Sequence, residues 1–571
     1  MNTGATMNVA NFRIKTIALA VALTAPVLFS TTANALTLHE ATQLAIKNSP
    51  QIMTEGINVK LKGADKDIAY KFFEPKLDAS YTYNDLRGFH YPPEIANVSL
   101  SSLAPGGIPN PAFLPDNVRT EDLAVSLKKI FENGIYTELG LSLTKRDSEK
   151  DRLSASAAID NFNKVPGQNL SLDDYFPLTY GVVKFVTRLP LWGRGDLAEA
   201  IGDFESKQFK LQAAVANMNH AISSILASAV YAYWDNRAAV VKYQVRQESL
   251  ARTERWVTKI QEIIGSSPKP EEARAKFAAE LNRIDGYVKE RRNNLNAAKS
   301  ELEQSRATLA NALGIPLKKA MEMGDAIDVM PEAGVDRDLV DVAKWNEQAL
   351  AHRLDIQAIK LEGRAADELL KWMKDYADPE LNVILAAHQQ MVGFGKKESD
   401  DIGTSGFLNA LQNPSGRTGF TAGVQFSMKF DHVAAKGRVT QATLNKMKTG
   451  IDLNAKIQKT GVDLKGLADR VNTSVASTAS AAETAKAYRA SVEAATADKS
   501  QSMATAYRQF EAERDWINAE VDRVNTLATL AKVVVEVRHQ TATLVKYTTD
   551  SGQVELRDIV TLPKLPIAGN S

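Results

Sequence analysis

Two hydrophobic periods alternate along the chain. Leu77, Ala79, Tyr81 and Tyr83 alternate with Asp78, Ser80, Thr82 and Asn84, the period of two of a strand with one apolar face. Leu381, Val383, Leu385 and Ala387 repeat the pattern. It is clearest where Phe420, Ala422, Val424, Phe426, Met428 and Phe430 interleave with Thr421, Gly423, Gln425, Ser427, Lys429 and Asp431. Leu123–Phe131 and Ile135–Thr144 are two further alternating runs around Glu132-Asn133-Gly134, a hairpin signal. Such strands suit either a transmembrane barrel, apolar towards lipid and polar towards a lumen, or a half-buried sheet in a soluble sandwich. The first half predicts two or four strands and the second two, so the chain has four or six. Prolines at 92, 93, 105, 109, 111 and 115, and the polar stretch Asp147–Asp174, read as long loops.

Elsewhere the period is helical. Leu197, Ile201, Phe204, Leu211, Val215, Met218, Ile222, Ile225 and Ala229 follow a 4-3 spacing, with Gln208 the one polar residue in register. No proline interrupts Asp196–Ile264, which as one helix would reach roughly 100 Å. Gly265-Ser266-Ser267-Pro268-Lys269-Pro270 turns the chain, and a second helix is expected over Glu271–Leu313. A similar hairpin is expected from Ala434 to a tip and back to Thr548. In Asn472–Ala506 about two thirds of the residues are Ala, Ser or Thr, which lets helices approach closely but buries little apolar area.

The two halves are copies. At an offset of about 304, Asn48–Ser80 falls on His352–Ile384, placing Ile52 on Ile356, Pro75 on Pro379 and Leu77 on Leu381. In each copy a helix runs into an acidic residue and a proline (Glu74-Pro75, Asp378-Pro379), and proline disfavours a helical residue before it. Thr37-x-x-Glu40 reads as a capping box, and Ser49-Pro50 as an N-cap followed by proline at the first helical position.

Composition narrows the class of function. In 571 residues, 69 basic side chains balance 68 acidic ones, for a net charge of +1, which argues against a nucleic-acid partner. The absence of cysteine excludes disulfides, Cys-ligated zinc, Fe–S clusters, thiol catalysis and an N-terminal lipoprotein anchor. Arg13 and Lys15, the uncharged Thr16–Ser30 and Ala33-Asn34-Ala35 read as a signal peptide cleaved after Ala35. No other segment approaches 18 apolar residues, so a mature chain in a membrane must cross it as β-strands.

Candidate chemistry is sparse. Gly193-x-Gly195-x-x-Ala198 matches a dinucleotide fingerprint in letters, but no βαβ unit surrounds it and the helix that follows is too long for a crossover. Seven histidines are scattered, and His39-Glu40 lacks a second histidine four residues on. With no nucleophile elbow or Walker loop either, no catalytic, cofactor or metal site is expected, and the chain does not read as an enzyme.

The order of these elements resembles the TolC family of outer membrane efflux proteins across essentially the whole mature chain. The resemblance rests on LTLHEATQLAIKNSPQI (Leu36–Ile52), EPKLDASYTY (Glu74–Tyr83), TRLPLWGRGDLAEA (Thr187–Ala200), LEQSRATLANALGIP (Leu302–Pro316) and RLDIQAIKLEGRAADELL (Arg353–Leu370). It implies a mainly α fold with transmembrane β: a tandem-duplicated trimeric outer-membrane β-barrel plus a long periplasmic coiled-coil α-barrel. Strands of three chains would close one barrel of 12 or 18. The organisation becomes a signal peptide over 1–35 and a first repeat over 36–316, with strands within 77–190 and a hairpin over 196–313. A linker follows over 317–340, then a second repeat over 341–548, with strands near 381–392 and 418–431 and a hairpin over 434–548, and a tail over 549–571.

The function implied is a passive exit duct in a Gram-negative outer membrane, embedded in its lipid. It would serve efflux or type I secretion through a periplasmic adapter and an inner-membrane transporter. Pro190, Gly193 and Gly195 become the elbow between barrel and tunnel. Gly265, Ser266 and Ser267 stand at the first tip; at the second, Tyr507 fits the family's tip pattern, whereas Phe510 replaces a glycine and Glu513 a serine. Asp498, Arg508, Arg514 and Asp515 are neighbours that could serve the gate, although for each the solvated helix-face charge is the preferred reading. The competing readings are a soluble periplasmic coiled-coil scaffold or adapter, and a duct that is permanently shut.

Overall fold

The computed structural model describes residues 35–88, 116–148, 178–266, 268–316, 324–330, 337–394, 418–428, 433–497, 503–547, 554–557 and 561–565. The expected signal peptide, the loop over 92–115 and nearly all of that over 147–174 lie outside them, as do Ser267, Phe430, Asp431 and Asp498.

Helices α1 (Leu38–Asn48) and α2 (Pro50–Tyr70) lead into strands β1 (Lys76–Gly88), β2 (Asp116–Ile130), β3 (Tyr136–Ser148) and β4 (Leu178–Trp192). Helices α3 (Asp196–Gly265), α4 (Pro270–Lys276) and α5 (Ala278–Ala312) follow. The second half has α6 (Val342–His352), α7 (Leu354–Ala377), β5 (Glu380–Phe394), β6 (Thr418–Ser427), α8 (Val433–Ala497) and α9 (Met503–Gln540). Leu38 and Val342, Pro50 and Leu354, and Lys76 and Glu380 each open equivalent elements 304 positions apart. Local chemistry places the starts. Thr37 caps α1 through a complete capping box with Glu40, and Asp341 caps α6 by accepting from the amides of Ala343 and Lys344.

Three boundaries differ from the sequence reading. The return helix expected over Glu271–Leu313 breaks at Phe277, whose φ of −105° and ψ of 17° fall outside the helical range. The last helix stops at Gln540 rather than Thr548. There Ala542 turns left-handed (φ 56°), and the amides of Thr543 and Ala542 reach back to the carbonyls of Arg538 and His539, a Schellman closure that ends a helix. A small hairpin follows, β7 (Val545–Tyr547) with β8 (Val554–Leu556). The final strand of the large sheet ends at Ser427, short of the expected Asp431.

Chain contacts divide the molecule into two compact units. Unit 2, residues 63–209 and 364–448, holds one antiparallel sheet in the order β1-β2-β3-β4-β5-β6. The Asn133-Gly134 hairpin is therefore part of the sheet, which has six strands among the described residues. Leu77, Leu127, Leu139, Phe185, Ala387 and Phe420 lie opposite one another in a single row across all six. The neighbouring row on the other face reads Asp78, Ser126, Gly140, Lys184, His388 and Gly419. The apolar row belongs to the more exposed face: Leu77 is 69 % and Phe420 81 % exposed. Strands β1 and β6 are the two edges.

Unit 1, residues 1–62, 210–363 and 449–571, is built on the main core. Tyr233 and Trp234 of α3 are fully buried among Ala41 and Ala45 of α1, Leu309 and Leu313 at the end of α5, and Val524, Leu527, Ala531 and Val535 of α9. The Tyr233 hydroxyl lies 2.9 Å from the Leu36 carbonyl and against the Asp328 carboxylate, which also accepts the Leu38 amide at 2.7 Å. A second core joins Trp345 and Ala349 of α6 to Leu464, Leu467 and Val471 of α8 and to Leu530, Val534 and Val537 of α9. No described helix is long and apolar enough to cross a membrane.

Candidate functional site

Within unit 2, the turn between β4 and α3 is shaped by the three residues singled out in the sequence. Pro190 lies at a register shift between β4 and β5, where the ladder skips from Pro190 to Trp192. Gly193 and Gly195 both adopt left-handed backbone, at φ 55° and 54°, a conformation that costs glycine nothing. A Cβ on Gly193 would overlap the Pro379 carbonyl, and one on Gly195 would overlap the Glu380 carboxylate. Proline 379 belongs to the second acidic-Pro step, so the two halves meet backbone to backbone here. Between the glycines, Arg194 is 3.3 Å from Asp375 and lies over the Trp372 ring at 5.1 Å. Phe73, Ala198, Ile201, Trp372, Tyr376 and Ala435 fill the core beneath.

In unit 1, the end of α3, the start of α5 and the start of α9 converge on Ile260, Ile264, Ile284 and Phe510. Phe510, the replacement for a glycine, is 4 % exposed and stacks on Tyr287 at 5.9 Å. The Tyr507 hydroxyl is 3.2 Å from that of Tyr287, and the Arg283 guanidinium lies 4.5 Å from the centre of the Tyr507 ring. Glu513, the replacement for a serine, is also buried and accepts a hydrogen bond from Arg252 Nε at 2.7 Å. Arg252 in turn lies over the Trp516 ring at 5.1 Å. Arg291 is buried nearby, its Nη1 without a hydrogen-bond partner among the described residues.

The other candidates are spread out. Arg514 pairs with its neighbour Asp515 at 3.0 Å, and Arg508 is exposed. Gly265 ends α3 with room for a Cβ and without left-handed backbone, and Ser266 donates its amide to the Glu262 carbonyl at 3.0 Å. The sequence reading missed Arg252, Tyr287 and Arg291, because each sits among ordinary helix-face charges and nothing local marks it as inward-facing. The two departures at Phe510 and Glu513 were the available signal. Both are large side chains where small ones were expected, and both are buried.

A second buried polar group in unit 1 joins α3, α6, α7, α8 and α9. Asp355 takes a two-pronged contact from Arg353 at 2.8 and 3.1 Å and lies 2.7 Å from Lys456. These cations hold its carboxyl well below the ordinary carboxylate range even though burial opposes them. His220 and His539 stack at 5.4 Å, and His539 Nδ1 is 3.0 Å from the Ser223 hydroxyl. Burial, then the neighbouring His220, push His539 down to about 4, and burial also lowers His220. His220 stands 3.8 Å from Asp355, but being neutral at pH 7 it is no ion-pair partner; Arg353 and Lys456 fill that role. Glu536 accepts from Tyr231 and, at 3.0 Å, from Gln540. Among the described residues no cluster of three His, Asp or Glu is gathered for a metal.

No protein-family model matches the chain, and no curated protein matches it in sequence. Its fold does match solved structures. The Campylobacter jejuni CmeC outer membrane channel is similar at 14 % identity and a TM-score of 0.52, over 89 % of this chain and 85 % of that one. The Neisseria gonorrhoeae MtrE outer membrane channel, in its open state, is similar at 14 % identity and a TM-score of 0.52, over 88 % of both. The Vibrio cholerae outer membrane protein VceC is similar at 13 % identity and a TM-score of 0.52, over 88 % and 95 %. The chain has the fold of TolC-like outer membrane channels.

Proposed function

We propose that the chain is the protomer of a trimeric channel-tunnel in the outer membrane of a Gram-negative bacterium, with a large periplasmic part. It is a passive exit duct for cargo delivered by an inner-membrane transporter through a periplasmic adapter. The observation that carries this reading is the six-stranded sheet. Its more exposed face carries an apolar row across all six strands, and among the described residues β1 and β6 each pair on one side only. A sheet cannot keep an open edge against lipid, and six strands fall short of the eight with which bacterial barrels begin. Further copies of the chain answer both needs.

In this reading residues 1–35 are the export signal, 36–316 and 341–548 the two repeats, and Pro190, Gly193 and Gly195 the elbow below the barrel. The Tyr287–Tyr507 contact and the Arg252–Glu513 pair belong to the tip that an adapter approaches, and they hold the helices of that entrance together. The test is conductance in a planar bilayer, comparing the purified protein with a variant carrying Glu513→Ala and Tyr507→Phe. A pore that opens more readily in the variant supports the duct. No pore in either form rejects it, and fractionation away from the outer membrane would turn the reading towards a soluble scaffold.

A further inference from the structure

We propose that the polar face of the sheet carries a basic belt at its helix-side end, a filter that favours anionic cargo bearing carboxylate or phosphate groups. This rests on the duct reading above, in which the face opposite the apolar row lines the passage. Three successive rows of that face hold the belt. Lys76 stands directly opposite Lys128, and Lys128 opposite Glu138. Asp78 and Lys184 share the next row away from the helices, and Tyr136 stands opposite Arg188 in the next row towards them. Four bases therefore accompany two acids. The other described residues of these rows are uncharged apart from His388, whose imidazole can add positive charge but not negative. Of the nearest acids outside the rows, Glu74 and Glu132 lie beyond the strand ends, and the Glu380 carboxylate is packed on Gly195.

The bases are also the side chains that reach the passage. Lys184 keeps 48 % of its side chain exposed, whereas Glu138, 3.0 Å away, keeps 15 %. Glu138 is covered further by Tyr136, whose hydroxyl donates to it at 2.7 Å. Lys184 lies across Gly140, where a Cβ would stand 2.8 Å from its Cε, so a bare position on β3 is what lets the ammonium cross that strand. Asp78 is shared by Lys76 and Lys128, each at 3.0 Å, one carboxylate between two ammonium groups. Arg188 has no carboxylate among the described residues; its guanidinium lies 5.9 Å from the centre of the Tyr136 ring, a contact that leaves its charge in place.

Pairing across strands does not account for this arrangement. Opposite charges stabilise a sheet and like charges directly opposite destabilise it, yet Lys76 and Lys128 face each other. Adjacent strands lie about 4.8 Å apart, well inside the Debye length of about 8 Å at physiological salt, so the surplus acts as one field. Rings of Lys and Arg select anions in pores, and lumen-facing side chains of barrels tune selectivity.

The test is ion selectivity of full-length pores in planar bilayers, across a KCl gradient at low salt, in the Glu513→Ala, Tyr507→Phe background. Lys128→Gln with Lys184→Gln removes half of the belt's bases. Lys129→Gln removes the same kind of charge one residue away, on the opposite face of β2. The chloride-over-potassium permeability ratio should fall about threefold or more in the belt variant and hold in Lys129→Gln. Added tripolyphosphate should block the parent pore, and block the belt variant about 10-fold more weakly. Unchanged selectivity and block in the belt variant, or an equal fall in Lys129→Gln, overturns the filter while leaving the duct intact. If the paired substitution yields no pore, Lys128→Gln and Lys184→Gln decide singly, each by a smaller fall in the same direction or by none. No pore in the parent overturns both readings.

Discussion

The stacked pair His220 and His539 makes part of the molecule pH-sensitive in a way that can be calculated. His539 titrates near 6.5 in an unfolded chain and is pushed down to about 4 in the fold. The unfolded chain therefore binds more protons between those values, and stability is lost as pH falls through that window. By pH 5 the loss is about 2 kcal/mol, and by pH 4 about 3 kcal/mol. His220 shifts in the same direction. Asp355 and Glu536, which face the pair, are both held below their ordinary values, so their own contributions are lost only at more acid pH. The neighbouring Arg353 and Lys456 oppose protonation of His220.

The assay is amide hydrogen exchange in the last turns of α9, corrected for the intrinsic rate, at pH 7.5 and pH 5. Wild-type protection should fall about 30-fold, the equivalent of 2 kcal/mol. In His539→Asn, which keeps a donor facing Ser223 but has no group that titrates, most of that fall should vanish. Equal corrected protection at both pH values in the wild type, or an undiminished fall in the variant, refutes the reasoning.

Three further outcomes are expected. Gly193→Ala combines left-handed backbone with overlap against the Pro379 carbonyl and should cost at least about 2 kcal/mol. The readout is a lower melting temperature, whereas Gly265→Ala, with free space around it, should change it little. Glu513→Ala strips Arg252 of its buried acceptor; with Arg252 partly exposed the cost is about 2 kcal/mol, visible as more frequent channel opening at unchanged expression. Thr37→Ala removes the side-chain half of the α1 capping box and leaves the backbone amide of residue 37 on Glu40; it should lower stability by about 1 kcal/mol, read as a shift in thermal melting.

The amount legible in the sequence differed by the range of the physics involved. Periods of two and 3.6, the acidic-Pro steps and the repeat at 304 residues are local or self-referential. They located the strands, the long α3 and the second copy, while the choice between barrel and sandwich came from the resemblance that their order carries. Left-handed Gly193 and Gly195 were legible for the same reason, since a glycine pair between a strand and a helix reports backbone need directly. Where the reading failed, a single residue's backbone decided the matter: Phe277 interrupts the return helix, and left-handed Ala542 stops α9, at positions where side-chain pattern carries no signal.

What only the tertiary structure decided was which side chains meet. The β2–β3 hairpin has the same alternation whether it joins the sheet or folds aside; its register with β1 and β4 shows that it joins the sheet. Phe510 and Glu513 read as departures from a motif until α3 and α5 supplied Tyr287 and Arg252. His220 and His539 lie far apart in sequence and carry no motif. Burial moves their protonation, and burial is a property of everything packed around them rather than of either residue's neighbours in the chain.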